Sequence, residues 1–221
     1  MQIRAALIDF DKTLTTEDMS DLLAEKVGKK AESEQLNHLF QTGRLKGVTG
    51  LIRRVNFLEG LSLDELEAFV NEHPCLRPGA EELFAFLKLN GIISIIASGS
   101  TVPFLEIYQR KLGADYVVGS RPSMQGRIMG TVTKEDYSGP DYKIRDSRVI
   151  LDSLQIPAEQ VVAIGDSMAD LGMFEYAAKS IAIDPHPGIE PYVDYIISGD
   201  LSQAVTILDD LMAESDTGAL Y

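Results

Sequence analysis

Six short apolar runs do most to limit what this chain can fold into: Ile3 to Ile8, Ile92 to Ala97, Tyr116 to Val118, Val161 to Ile164, Ile181 to Ile183 and Tyr195 to Ile197. Near-continuous apolar runs of this length read as strands buried on both faces, the usual state in a parallel sheet. Helical patterns separate most of them. Pro78 to Asn90 carries Leu83, Phe84, Phe86 and Leu87 and stops at Gly91, and Leu201, Val205, Leu208 and Met212 recur at helical spacing. Strand and helix in alternation predict an α/β fold with a doubly wound, Rossmann-like parallel sheet, whose ligands sit at the carboxyl ends of the strands.

Residues 15 to 75 are too many for an ordinary strand-to-helix connection. Their apolar residues fall at helical spacing: Leu22, Leu23 and Val27; Leu36, Leu39 and Phe40; Leu51, Ile52, Val55 and Leu58. Ser62-Leu63-Asp64-Glu65 is a capping box that opens a further helix through Leu66, Phe69 and Val70. This predicts a helical cap at 15–75 inserted into a core made of 1–14 and 76–221. Between Val117 and Thr133, Gly119, Pro122, Gly126 and Gly130 interrupt short apolar pieces, as in a small β-hairpin flap. The tail from Glu214 is expected to be loosely ordered.

A net charge of -14 excludes a general nucleic-acid or anionic-membrane binder, since no broad cationic surface is available to displace counterions. The single cysteine, Cys75, allows neither an intrachain disulfide nor a cysteine-rich zinc site. No run approaches the ~20 apolar residues that span a bilayer, and Met1 leads into a run too short for a signal peptide. The expected setting is cytoplasmic, as a monomer or homodimer.

Chemistry concentrates at strand ends. Asp9-Phe10-Asp11-Lys12-Thr13 follows the first run, Ala97-Ser98-Gly99-Ser100-Thr101 the second, and Gly165-Asp166-Ser167-Met168-Ala169-Asp170 the fourth, with Lys143 at the start of the helix before it. An isolated Asp-x-Asp is as often a turn as a site. A calcium loop of the EF-hand type is excluded, because its sixth and twelfth positions hold Leu14 and Ser20 rather than Gly and Glu. Four aspartates converging in a partly buried place need cations, and an all-oxygen set suits magnesium completed by water and phosphate. The hydroxyls of Thr13 and Ser98, amides near Asp9 and Gly99, and Lys143 would surround an oxyanion beside the metal.

These four segments, in this order, resemble the motifs of the haloacid dehalogenase superfamily of aspartate-nucleophile phosphohydrolases. The 23 residues from Lys143 to Asp166 resemble its phosphoserine phosphatase-like branch. The resemblance implies a magnesium-dependent phosphomonoesterase acting on a small phosphate ester. It makes Asp9 the nucleophile, Asp11 the acid and base, and Lys143 the neutraliser of phosphoryl charge. It assigns Thr13, Ser98 and Gly99 to phosphate, Asp9, the Asp11 carbonyl and Asp166 to Mg2+, and Asp170 to support of Lys143 or the metal waters. Arg54, in Leu51-Ile52-Arg53-Arg54-Val55, would grip a substrate carboxylate, and Asp18 stands where the branch has a Glu for the substrate amino group.

Gln41 and Gly47 occupy the places of an apolar shielding pair, and Ala169 that of an Asn. Phosphoserine is therefore the first expectation, with a sugar phosphate or sulfur-salvage intermediate as the alternative. A phospho-acceptor switch of the receiver type is a weaker rival. Ser100 is expected to cap the following helix, and His38, His73 and His186 to carry no chemistry.

Overall fold

The structure, a computed structural model, describes residues 1–218. Its strands are β1 (Ala5–Ile8), β2 (Ile93–Thr101), β3 (Tyr116–Ser120), β4 (Met124–Gln125), β5 (Ile128–Met129), β6 (Val161–Gly165), β7 (Lys179–Ile183) and β8 (Tyr195–Ile197). Its α-helices are α1 (Met19–Lys26), α2 (Lys30–Gln41), α3 (Thr49–Asn56), α4 (Leu63–Glu72), α5 (Ala80–Leu89), α6 (Val102–Leu112), α7 (Pro140–Ser153), α8 (Leu171–Tyr176) and α9 (Ser202–Gly218). Six strands form one parallel sheet in the order β3-β2-β1-β6-β7-β8. The chain winds outward from β1 to β3 and then crosses back to β6, so the order reverses beside β1 and opens a crevice at its carboxyl end.

Both faces of the sheet are covered, which is why its strands read as unbroken apolar runs. Ala6, Ile8, Ile96 and Ile164 meet Leu83, Leu87, Phe104 and Leu208 from α5, α6 and α9. Ala5, Leu7, Ile95 and Ala163 meet Leu151, Met173 and Phe174 from α7 and α8. Each large aliphatic side chain removed from water here is worth about 1.5–3 kcal/mol.

The four helices α1 to α4 follow β1, and the two ends of this inserted segment are stitched together. Thr15 bridges Leu76, Thr16 N–H donates to Cys75 O at 2.9 Å, and Arg77 N–H donates to Leu14 O at 2.9 Å. Ser62 and Glu65 form the capping box at the head of α4. That helix buries Leu66, Phe69 and Val70 in the same cluster as Phe104. By contrast, the one buried side chain of α2 is Ser33. The hairpin is limited to β4 and β5, and it docks on the entrance to α4 through Leu63 N–H to Arg127 O and Met129 N–H to Leu61 O, both 2.9 Å.

One expectation fails. Ser100 does not cap α6: β2 runs on to Thr101, and the Ser100 N–H instead donates to Ser98 Oγ at 3.0 Å. Helix α9 extends through Gly218, and residues 219–221 of the tail expected to be loosely ordered lie outside the described residues.

Candidate active site

Asp9 is the first residue beyond β1, and its N–H still belongs to the sheet ladder, donating to Ile164 O at 2.9 Å. The chain then turns back sharply. Thr15 N–H reaches Phe10 O at 3.1 Å, and Lys12 takes φ 62 and ψ -3. That left-handed conformation costs a residue with a Cβ about 1–2 kcal/mol, so the surroundings must enforce it.

Lys143 enters from the first turn of α7, where its N–H donates to Gly139 O at 2.9 Å. Its ammonium, only 5% exposed, lies 2.5 Å from Asp9 Oδ1 and 2.8 Å from Asp170 Oδ1. The other Asp170 oxygen accepts from the N–H groups of Asp166 (3.1 Å) and Ser167 (3.2 Å), folding the loop after β6 over itself. Gly165 is required there: a Cβ would sit 2.7 Å from the Asp170 carboxylate.

Asp9, Asp166 and Asp170 each offer a carboxylate oxygen within 4.8 Å of the others, and all three are buried. Burial, and then Asp170, push Asp9 up to about 6. Burial, with Asp9 and Asp170, pushes Asp166 up to about 9. For Lys143 burial opposes the charged form, but Asp170 and Asp9 outweigh it and hold the ammonium above its ordinary range. One ammonium cannot neutralise three carboxylates. The donor set is hard, anionic and short of positive charge, which fits a divalent cation of the magnesium class.

Asp11 stands apart from that cluster. Its carboxylate accepts from Met19 N–H at 2.7 Å, at the head of α1, and burial followed by Asp18 raises its pKa well above the ordinary range. Ser98 and Gly99 line the same cavity as Asp9, Asp11 and Lys143. Thr13 does not; its hydroxyl is buried and makes no hydrogen bond among the described residues.

At the far end of the cavity, Arg54 of α3 pairs with Asp18 and with Asp21 at 3.0 Å, and its Nε donates to Ser33 Oγ at 2.9 Å. Asn37 Nδ2 donates to Asp18 Oδ2 at 2.9 Å, while Asp18 Oδ1 also accepts the Asp21 N–H and so caps α1. Burial works against the guanidinium charge, but Asp18 and Asp21 raise its pKa further. Between the two ends the wall is Phe40, Leu51, Val55 and Tyr137. Gln41 is on the lining; Gly47 is not.

Two site residues had no sequence signal. Tyr137 lies across Gly139, where any Cβ would fall 2.1 Å from its ring, and burial pushes its phenol pKa up. His186, just past β7, donates its N–H to Asp166 O at 2.8 Å and places Nε2 3.9 Å from Asp166 Oδ2. Of the three histidines expected to carry no chemistry, His186 lines the cavity. Burial and then Lys12 lower its pKa, keeping the ring neutral at ordinary pH.

The family model described as haloacid dehalogenase-like hydrolase matches residues 6–175. Phosphoserine phosphatase of Methanocaldococcus jannaschii is 28% identical over 198 residues, covering 86% of this chain and 90% of that one. Phosphoserine phosphatase of Halobacterium salinarum is 29% identical, covering 91% and 95%. Among solved structures, a phospho-aspartyl intermediate analogue of phosphoserine phosphatase superposes with a TM-score of 0.80 at 25% identity, over 94% of this chain and 99% of that chain. Among the described residues, no helix is long and apolar enough to cross a membrane.

Proposed function

Because this chain belongs to the haloacid dehalogenase-like hydrolases, we propose that it hydrolyses a small phosphate monoester through an aspartyl-phosphate, with phosphoserine as the first substrate. The observation that carries the reading is one cavity holding two aspartates in different settings. Asp9 is aimed by Lys143 at 2.5 Å, and Asp11, two residues on, sits where burial and then Asp18 raise its pKa well above the ordinary range, as suits a proton donor. Residues 15–75 act as the cap over a core of 1–14 and 76–221.

Asp9 attacks phosphorus, the ester P–O bond breaks, and the departing alkoxide takes the proton from Asp11. A water then attacks the aspartyl-phosphate and gives its proton to Asp11; the bond from phosphorus to Asp9 breaks and inorganic phosphate leaves. Lys143 offsets charge spread over the phosphoryl oxygens, and Ser98 and Gly99 line their side of the cavity. Thr13, which the resemblance assigns to phosphate, keeps a buried hydroxyl with no hydrogen-bond partner among the described residues. Asp9, Asp166 and the Asp11 carbonyl would hold Mg2+, which when bound supplies the positive charge the three carboxylates lack. Asp170 already uses both oxygens on Lys143 and the β6 loop, which makes it a support for the others.

The two relatives' printed activity and the placement of Arg54 and Asp18 support phosphoserine. A second reading rests on a specific observation: Asp18 and Asp21 already satisfy the Arg54 guanidinium, which suits a leaving group with hydroxyls rather than a carboxylate. The sole cysteine, Cys75, is half-buried and free, which suits a reducing setting such as the cytoplasm.

Phosphate release from a panel of small esters, with magnesium and with chelator, tests both readings. The expected result is metal-dependent release that Asp9→Asn lowers by roughly 10,000-fold or more. Full activity in that variant would falsify the nucleophile assignment. Turnover of sugar phosphates in preference to phosphoserine would select the second reading.

A further inference from the structure

Among the described residues, three that are not glycine adopt positive φ: Lys12 at 62, Gln155 at 53 and Asp184 at 42. A single side chain joins two of the three. Arg77 is 7% exposed and follows directly on the Thr15–Leu76 bridge that closes the inserted segment. Its Nη2 donates to Lys12 O at 2.5 Å, its Nε to Thr13 O at 2.9 Å and its Nη1 to Asp184 Oδ2 at 2.6 Å. Its own N–H donates to Leu14 O at 2.9 Å.

One residue therefore binds three successive carbonyls of the turn that separates Asp9 from the inserted helices. Because each peptide is planar and trans, fixing a carbonyl also fixes the N–H of the next residue on the opposite side. Asp184 is itself immobilised, accepting from Ser198 Oγ at 2.7 Å and from Gly199 N–H at 3.2 Å. The fork of the guanidinium suits this task, since it reaches two carbonyls and a carboxylate at once. Arg77 touches neither Asp9 nor Asp11, and it is absent from the cavity lining.

We infer that Arg77, anchored by Asp184, is a positioning residue that locks the Phe10–Leu14 turn and so fixes Asp11 against Asp9. The inference deepens the phosphatase reading and rests on it for its catalytic consequence. Its structural content stands without that reading. Removal of the guanidinium leaves Asp184, whose side chain is 41% exposed, free to take up water, so the chain can fold without it.

The test compares wild type with Arg77→Met, Arg77→Lys and Leu208→Ala, a core truncation in α9 that lowers stability without touching the turn. The first readout is hydrogen exchange at the Lys12 and Thr15 amides, bonded to Glu17 O and Phe10 O, in protein without metal or substrate. Exchange is expected to rise roughly tenfold or more in Arg77→Met and not in Leu208→Ala. The second readout is kcat against KM on the best ester, where kcat is expected to fall roughly 30- to 100-fold with KM nearly unchanged. Arg77→Lys should restore neither, as an ammonium cannot reproduce the fork. Unchanged protection in Arg77→Met, equal loss in Leu208→Ala, or full activity in Arg77→Lys overturns the inference. If wild type releases no phosphate from any ester, the phosphatase reading fails and the exchange readout alone decides the lock.

Discussion

Lys143 and Arg54 are each a buried cation shared by two aspartates, yet they are held in different ways. Lys143 bridges residues fixed by the sheet: Asp9 follows β1, Asp170 closes the loop after β6, and all three side chains are 5% exposed or less. Arg54 joins Asp18 and Asp21 across α1, α2 and α3, with side chains 10–12% exposed. Around Lys143 the strand ladder sets the geometry before any side chain does. Around Arg54 the apolar support is a small cluster, Leu51, Val55, Val132 and Tyr137, and the polar groups largely position one another. The same charge arrangement thus serves as a rigid fixture at one end of the cavity and as an adaptable one at the other.

The sharpest way to break this contrast is Lys143→Met. It leaves Asp9 and Asp170 buried beside Asp166 with no cation, and losing one partner of a buried pair costs about 3–5 kcal/mol. For a chain of this size that is a fall of roughly 6–20 °C in Tm, read by calorimetry without metal. Added magnesium is expected to recover part of the stability and none of the turnover. A Tm within a degree of wild type would mean that the carboxylates are already neutral or hydrated there.

Arg54→Met should act differently. Asp18 and Asp21 are nearer to solvent and Asn37 and Ser33 remain as partners, so the stability loss is expected to be smaller, about 1–3 kcal/mol. The larger effect falls on specificity. If Arg54 leaves its aspartates to grip a carboxylate, KM for phosphoserine rises about 100-fold while KM for an ester without a carboxylate barely moves. Equal changes for both esters would assign Arg54 to holding the helices together.

The same contrast explains what could be read from the chain beforehand. Strands buried on both faces announce themselves as apolar runs, and motifs at their ends are carried to one edge by the topology alone; Asp9, Ser98 and Asp166 were legible for that reason, whereas Lys143, on α7, was legible only through its spacing to Asp166. The capping box at Ser62 was legible because its partners are three residues apart. Residues whose role depends on contacts distant in sequence were not. Arg77 reaches Asp184, 107 residues away, and His186 meets Asp166 only because β6 and β7 are neighbours. Tyr137 enters the wall through a glycine two residues later that leaves room for its ring. Ser100 misled because a Ser ahead of a helix is a good cap in isolation, while here strand pairing continues one residue further, to Thr101 opposite Ser120.

The smallest expected effect is also the most specific to the adaptable end. Ser33 is fully buried on α2, donates to Asp21 Oδ1 at 2.5 Å and accepts from Arg54 Nε at 2.9 Å. Ser33→Ala deletes both bonds without changing charge or opening much space. The Asp21 oxygen and the Arg54 Nε still have each other at 3.2 Å, so neither is stranded and the loss should be about 1 kcal/mol. That corresponds to roughly 2–4 °C in Tm, with kcat unchanged because nothing around Lys143 is touched. A fall in kcat with intact KM would show that the two ends are coupled through α1, whose first N–H binds Asp11 and whose cap is Asp18. The rigid and adaptable halves would then be one mechanical unit.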